Sequence, residues 1–298
     1  MFEEKIRIGT LVNGGPGTKA FIQEILPYGF ESFSVTFWQT IGRTDLKRLA
    51  AEVREAIAGS GAVISCVGVY GNPLMDDAKG KATRASWKRL IDAADLFGCD
   101  LVAGFAGRVV DRPIPESMPK YKKVFGPLAK RAADRGVRIA FENCEMGGDW
   151  ERGDWNIAQT PDAWEMMFDA LPAENIGLQW EPCHQMVKLI DPLPQLRKWV
   201  KKIFCLHGKD ATIRWDVIRE HGIRGPVPWA FHRTPGFGDS NWADIITELR
   251  LGGFEGSIDI EGYHDPVYRG DLEMMGQVHA LNHLKQCRGG FFVPMPKA

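Results

Sequence analysis

The sequence is poor in the features that would place it outside ordinary aqueous globular proteins. Six cysteines in 298 residues, none with Cys-x-x-Cys spacing, exclude a disulfide scaffold and a zinc ribbon. Cys66, Cys144, Cys183 and Cys205 lie in or beside apolar runs, where cysteine behaves as a small hydrophobe. No apolar run approaches the roughly 18 residues a membrane span needs. The charged start MFEEKIRIGT runs straight into a strand pattern and lacks the look of a secretory signal. A reduced, cytoplasmic protein without membrane contact is therefore expected. An excess of one charge is also missing: 37 basic against 38 acidic residues give a net charge of -1, which offers no global attraction to nucleic acid. VNGGPG (12–17) is glycine-rich, but it lacks the Lys-Ser/Thr of a phosphate loop and the acidic partner of a dinucleotide fingerprint. It reads as a ligand-contacting loop.

What the chain does have is rhythm. With 44% hydrophobic residues, it can bury a large core. Short, often β-branched runs alternate with longer amphipathic ones. Strands are expected at Ile6–Val12, Ser32–Trp38, Ala62–Tyr70, Asp100–Ala106, Val137–Asn143, Ile176–Glu181, Lys202–Gly208 and Gly256–Gly262. Between them, TDLKRLAAEVREAIAGSG puts Leu46, Leu49, Val53 and Ile57 on one helical face, with a glycine stop after them. ASWKRLIDAADLFGC, YKKVFGPLAKRAADRG and SNWADIITELRLGG follow the same logic, and TPDAWEMMFDAL begins with Thr160 as N-cap and Pro161 at the first helical position. Strand-helix alternation implies parallel strands with crossover helices. Eight such units predict a single (β/α)8 TIM barrel spanning 1–298 in preference to an open doubly wound sheet. The stretch after strand seven, about 210–239, is far longer than a usual βα loop and is expected to form an excursion over the active-site face.

In such a barrel, chemistry gathers at the carboxyl ends of the strands. The last four strands end in Glu142, Glu181, His207 and Glu261, whereas the first four end in Asn13, Trp38, Tyr70 and Arg108, with no carboxylate or histidine. Any one of these glutamates alone would read as a cap or an ion-pair partner. Three carboxylates converging without a cation would repel one another and raise one another's pKa. A divalent ion resolves this, and three carboxylates with one imidazole suit Mn2+ best, ahead of Mg2+, Co2+ or Zn2+.

These stretches resemble the xylose isomerase-like TIM barrels, in particular the sugar isomerase and epimerase branch that includes ketose 3-epimerases. The matching elements are FEN with Glu142, GLQWEPCH with Glu181 and His184, LHGKD with His207, and the final loop, helix and strand with Glu261, all within 137–266. The resemblance implies that Glu142, Glu181, His207 and Glu261 hold one divalent metal and that His184 contacts substrate. Glu181 departs from the aspartate usual in the family's D-P-x-H motif. A trinuclear zinc nuclease relative is excluded because strands one to four bring no histidine and the second metal-binding pair of that type survives only as Ala230-Phe231-His232.

The implied activity is a metal-dependent epimerisation or isomerisation of a keto-sugar or related polyol. Glu142 and Glu261 act as the acid-base pair on a carbon next to a carbonyl, through an enediolate. Arg233 and Arg108 are candidate ligands for substrate hydroxyls or a charged group, and Trp38 and Tyr70 belong to an aromatic rim on which sugars can stack. A first alternative is a lyase resembling C-glycoside deglycosidases, which expels the aglycone of a 3-oxo-glycoside and would bring in a small partner subunit. A second is a non-catalytic sugar-binding barrel. A small carbohydrate is the expected partner in each case, with homo-oligomerisation open.

Overall fold

The computed structural model describes residues 4–262 and 264–289, so the ends of the expected 1–298 domain lie outside the described residues. The eight expected strands form, all parallel, as β1 Ile6–Asn13, β2 Ser32–Trp38, β3 Val63–Tyr70, β4 Leu101–Gly104, β5 Arg138–Glu142, β6 Ile176–Trp180, β7 Ile203–Gly208 and, last in the chain, β10 Gly256–Ile260. They close into a barrel in the order β1-β10-β7-β6-β5-β4-β3-β2. Closure is direct: Ile8 pairs with Ile258 on one side of β1, and Val12 with Val35 on the other.

The helices are α1 Thr18–Ile25, α2 Leu46–Ile57, α3 Ala78–Phe97, α4 Met118–Ala133, α5 Pro161–Ala170, α6 Pro182–Met186, α7 Pro192–Trp199, α8 Trp215–His221, α9 Trp242–Leu251 and α10 Glu273–Arg288. Local chemistry sets several of their starts. The side chains of Asp45, Asp77, Thr160 and Asn241 accept from the first-turn amides of α2, α3, α5 and α9. None of the described helices is long and apolar enough to cross a membrane.

The excursion after β7 is ordered. It contains an antiparallel hairpin of β8 Asp210–Ile213 and β9 Ala230–Arg233, with α8 between the two strands. Asp210 ties the excursion to the barrel, its carboxylate accepting from the amides of Ala211 (2.7 Å) and Ser240 (3.0 Å) and from Trp242 Nε1 (3.0 Å).

The barrel has two chemically different shells. The outer one, between strands and helices, is the main core, with Trp87, Trp164, Trp180 and Trp242 among its largest fully buried side chains. Along each strand, alternate residues face the other way, into the barrel. There Cys66, Leu101, Ala103, Ala140 and Cys205, mostly small residues, form a separate cluster. Buried Asp259 accepts hydrogen bonds from the hydroxyls of Ser32 and Ser65, both at 2.6 Å. This alternation positions the site. Glu142, Glu181, His207 and Glu261 each stand two residues beyond an inward neighbour, namely Ala140, Gln179, Cys205 and Asp259, so all four side chains enter the same barrel mouth.

Candidate metal centre

The structure brings Glu142, Glu181, His207 and Glu261 together: each contributes one ligand atom to a group lying within 4.8 Å of one another, and all four are buried. His207 Nδ1 lies 2.8 Å from Glu142 Oε1 and 3.0 Å from Glu261 Oε2. Second contacts hold the strand ends. Asn143 brackets the backbone of Glu181, donating from Nδ2 to its carbonyl and accepting its amide on Oδ1, both at 2.9 Å. Asn156 Nδ2 donates to the carbonyls of Glu142 and Cys144, both at 2.8 Å.

The residues fit a divalent cation on the structure's own terms. Both carboxylate oxygens of Glu181 and Oε2 of Glu261 are buried without a hydrogen bond, a costly arrangement unless something else satisfies them. His207 turns Nδ1 toward the carboxylates of Glu142 and Glu261, so this is the nitrogen that faces the cluster. An all-carboxylate and imidazole donor set, without a thiolate, suits a hard to borderline ion such as Mn2+.

The electrostatics show how much negative charge is packed here. Burial raises the pKa of Glu142, the strongest influence on it, against the opposing pull of His207. Burial also works to raise Glu181 and Glu261, but His184 and Lys209 hold Glu181 below the ordinary value, and Lys209 with His207 holds Glu261 well below it. Lys209 is itself buried. Its Nζ donates to Glu261 Oε1 at 2.7 Å and lies 3.4 Å from His184 Nε2.

His184, from α6, is buried against the cluster. Its Nδ1 lies 2.7 Å from Glu145 Oε2, and its Nε2 is 3.0 Å from Glu181 Oε1, without the alignment of a hydrogen bond. Burial disfavours its charged form, but Cys144, Glu181 and Glu145 outweigh this and raise its pKa well above the usual value. Reciprocally, burial works to raise the carboxyl of Glu145, yet His184 brings it down to about 2. The His184 ring meets that of His232 edge-on at 5.1 Å. Cys183, His184 and His232 form a second group with close donor atoms. Glu145 and His232 were not anticipated as site residues. Glu145 was legible as the second glutamate of the FENCE stretch after strand five, three residues beyond Glu142, but His232 reaches the site only through the β8-β9 hairpin, which sequence periodicity did not reveal.

The remaining expected residues divide. Tyr70 is buried beside the centre, its ring 6.1 Å from that of His207, but its hydroxyl donates to Gln179 Oε1 (2.8 Å) inside the barrel. Trp38 is 59% exposed at the rim and stacks on Trp155 at 5.3 Å. Arg233 donates from Nε to Asp265 Oδ2 at 3.0 Å and lies over the Phe237 ring at 5.9 Å. Arg108 does not fit a substrate-binding role. It is fully buried, and its guanidinium donates to the carbonyls of Arg112 (3.0 and 2.7 Å), Asp149 (2.5 Å) and Trp150 (3.1 Å), clamping the loop after β5. Gly153, at φ +154°, leaves room for that clamp, since a Cβ there would sit 2.8 Å from Arg108 Nη1.

Comparison with known proteins agrees with this architecture. Solved structures that resemble it include a xylose isomerase domain protein from Planctomyces limnophilus (TM-score 0.72, 18% identity, 96% of this chain and 98% of that one). A 3-keto-D-glucoside 4-epimerase from E. coli has a TM-score of 0.70 at 15% identity, covering 95% of this chain and all of that one. An L-ribulose 3-epimerase has a TM-score of 0.68 at 15% identity, covering 94% and 92%. No curated protein matches the chain in sequence. The model of the xylose isomerase-like TIM barrel family matches residues 22–287, and the chain belongs to that family.

Proposed function

We propose that the protein is a divalent-metal-dependent isomerase or epimerase of a keto-sugar or related polyol. The observation that carries this reading is the closed set of four buried ligands, with orphaned donor atoms, at the carboxyl end of the barrel. The structural neighbours, among them a keto-glucoside epimerase and a ketose epimerase, support the same class of chemistry.

A cation held by Glu142, Glu181, His207 and Glu261 would act as a Lewis acid, polarising a substrate carbonyl and stabilising the charge of an enediolate. The protein's own groups do the rest. Glu142 and Glu261 enter the mouth from β5 and from the end of β10, on either side of His207. One removes the proton next to the carbonyl and the other delivers a proton to the opposite face. Lys209 keeps Glu261 ionised and fixed. His184, braced by Glu145, puts a charged imidazole beside Glu181 and so holds that carboxylate ionised and in place. Burial excludes bulk water from these transfers.

A screen with Mn2+ against ketohexoses and 3-oxo-glucosides, with product analysis, tests the reading. Appearance of an epimer or isomer supports it. Release of an aglycone, with no epimer formed, would favour the lyase, and turnover of nothing in the presence of bound metal would favour a sugar-binding barrel.

A further inference from the structure

A cavity beside the candidate metal centre is not lined by any of the four candidate ligands. It has a volume of about 490 Å3 and lies between the loop after β5, the end of α6 and the excursion. Glu145 and His232 form its inner wall, and Lys188, Arg224, Pro228 and Trp229 lie around it. Glu145 and His232 are also the residues that touch His184, so one layer of side chains separates this space from the centre. The outer walls are tied together. Arg224 Nη1 donates to Asp149 Oδ2 at 2.9 Å, linking the excursion to the loop that Arg108 clamps, and Lys188 Nζ donates to the carbonyl of Gly148 at 3.2 Å. The volume lies in the range that encloses a whole ligand group. A single sugar ring seated on the four ligands would leave it unused. Its lining combines an indole and prolines with two cations, which suits an apolar or aromatic body carrying acceptor oxygens.

We propose that this cavity is a second subsite that receives the aglycone of a keto-glycoside, so that the substrate is a substituted sugar and not a free monosaccharide. This rests on the reading of the metal centre as a keto-sugar site, and it holds for epimerisation and elimination alike. The reacting ring sits at the four ligands, while the substituent passes Glu145 and His232 and packs against Trp229. Lys188 and Arg224 meet its oxygens.

Calorimetric titration of the Mn2+-supplemented protein with 3-ketoglucose and with phenyl 3-keto-β-glucoside tests the proposal. The phenyl glycoside is expected to bind about tenfold or more tightly than the free sugar, the scale of one buried aromatic contact. Trp229→Ala, which removes the stacking face, and Val227→Trp, which fills the cavity, should each erase that preference while leaving binding of 3-ketoglucose unchanged. Equal binding of the two ligands by the parent protein, or a preference that survives both variants, overturns the subsite and leaves the keto-sugar reading standing. Failure to bind either ligand overturns both.

Discussion

Replacing Arg108 with methionine separates a clamp from a substrate contact. The side chain is fully buried, so methionine retains much of its aliphatic packing and removes only the charged head. Four donor contacts disappear, two to the Arg112 carbonyl and one each to those of Asp149 and Trp150. At a net value near 1 kcal/mol per hydrogen bond, with allowance for Trp150 keeping its bond from the Ile114 amide, the loss comes to about 3 kcal/mol. An unfolding entropy of roughly 2.1 cal/mol/K per residue over 298 residues converts this to a fall in Tm of about 5 °C. The assay is thermal and urea unfolding of parent and variant in parallel. The loop that Arg108 holds also forms one wall of the cavity, so glycoside affinity should fall with stability, and the hydrogen exchange of residues 146–153 should rise. A variant as stable as the parent within about 0.5 kcal/mol that nonetheless loses substrate affinity would refute the clamp and restore Arg108 as a direct contact.

Three further outcomes follow from the geometry. Glu142→Gln and Glu261→Gln should each lower turnover by about two to four orders of magnitude, the usual share of a positioned acid or base, and near-normal activity in either would end the two-glutamate scheme. Asn143→Ala removes both bonds to the Glu181 backbone and should weaken Mn2+ binding about 10- to 100-fold in a chelator competition, with no change in affinity counting against a positioning role. Asp259, whose carboxyl burial pushes up to about 6 from an ordinary 3.8, is protonated more readily in the folded state. Its contribution to stability is therefore complete below about pH 4 and is lost as pH rises through about 6. Relative to Asp259→Asn, the parent should lose about 3 kcal/mol between pH 4 and pH 8, and parallel pH profiles would contradict this.

Much of the barrel was legible because periodicity records burial. β2 runs from Ser32 to Trp38 as expected, β1 runs one residue further to Asn13, and the other barrel strands are shorter than expected by one to three residues. The four clustered residues were legible because each continues the inward alternation of its strand, a pattern of spacing two. The hairpin of β8 and β9 was not, because β9 is half-buried throughout and β8 goes from two buried residues to two half-buried ones, with no alternation in either: the excursion was expected, its pairing was not. Arg108 was misjudged for a related reason. A strand-end arginine looks the same in sequence whether its guanidinium faces ligand or loop carbonyls, and only the fold of residues 149–153 decides. Helix α10, whose apolar residues are spread around its circumference, likewise left no amphipathic signature.

The central claim is that four buried side chains hold one divalent ion over which a proton is exchanged next to a carbonyl. Incubation of the Mn2+-loaded protein with keto-sugar in deuterated water, followed by mass and NMR analysis of the recovered sugar, tests it most directly. The account predicts deuterium at the carbon beside the carbonyl, abolished by chelation and by Glu142→Gln or Glu261→Gln. A converted sugar carrying no solvent deuterium, or exchange that persists after the metal is removed, would contradict it.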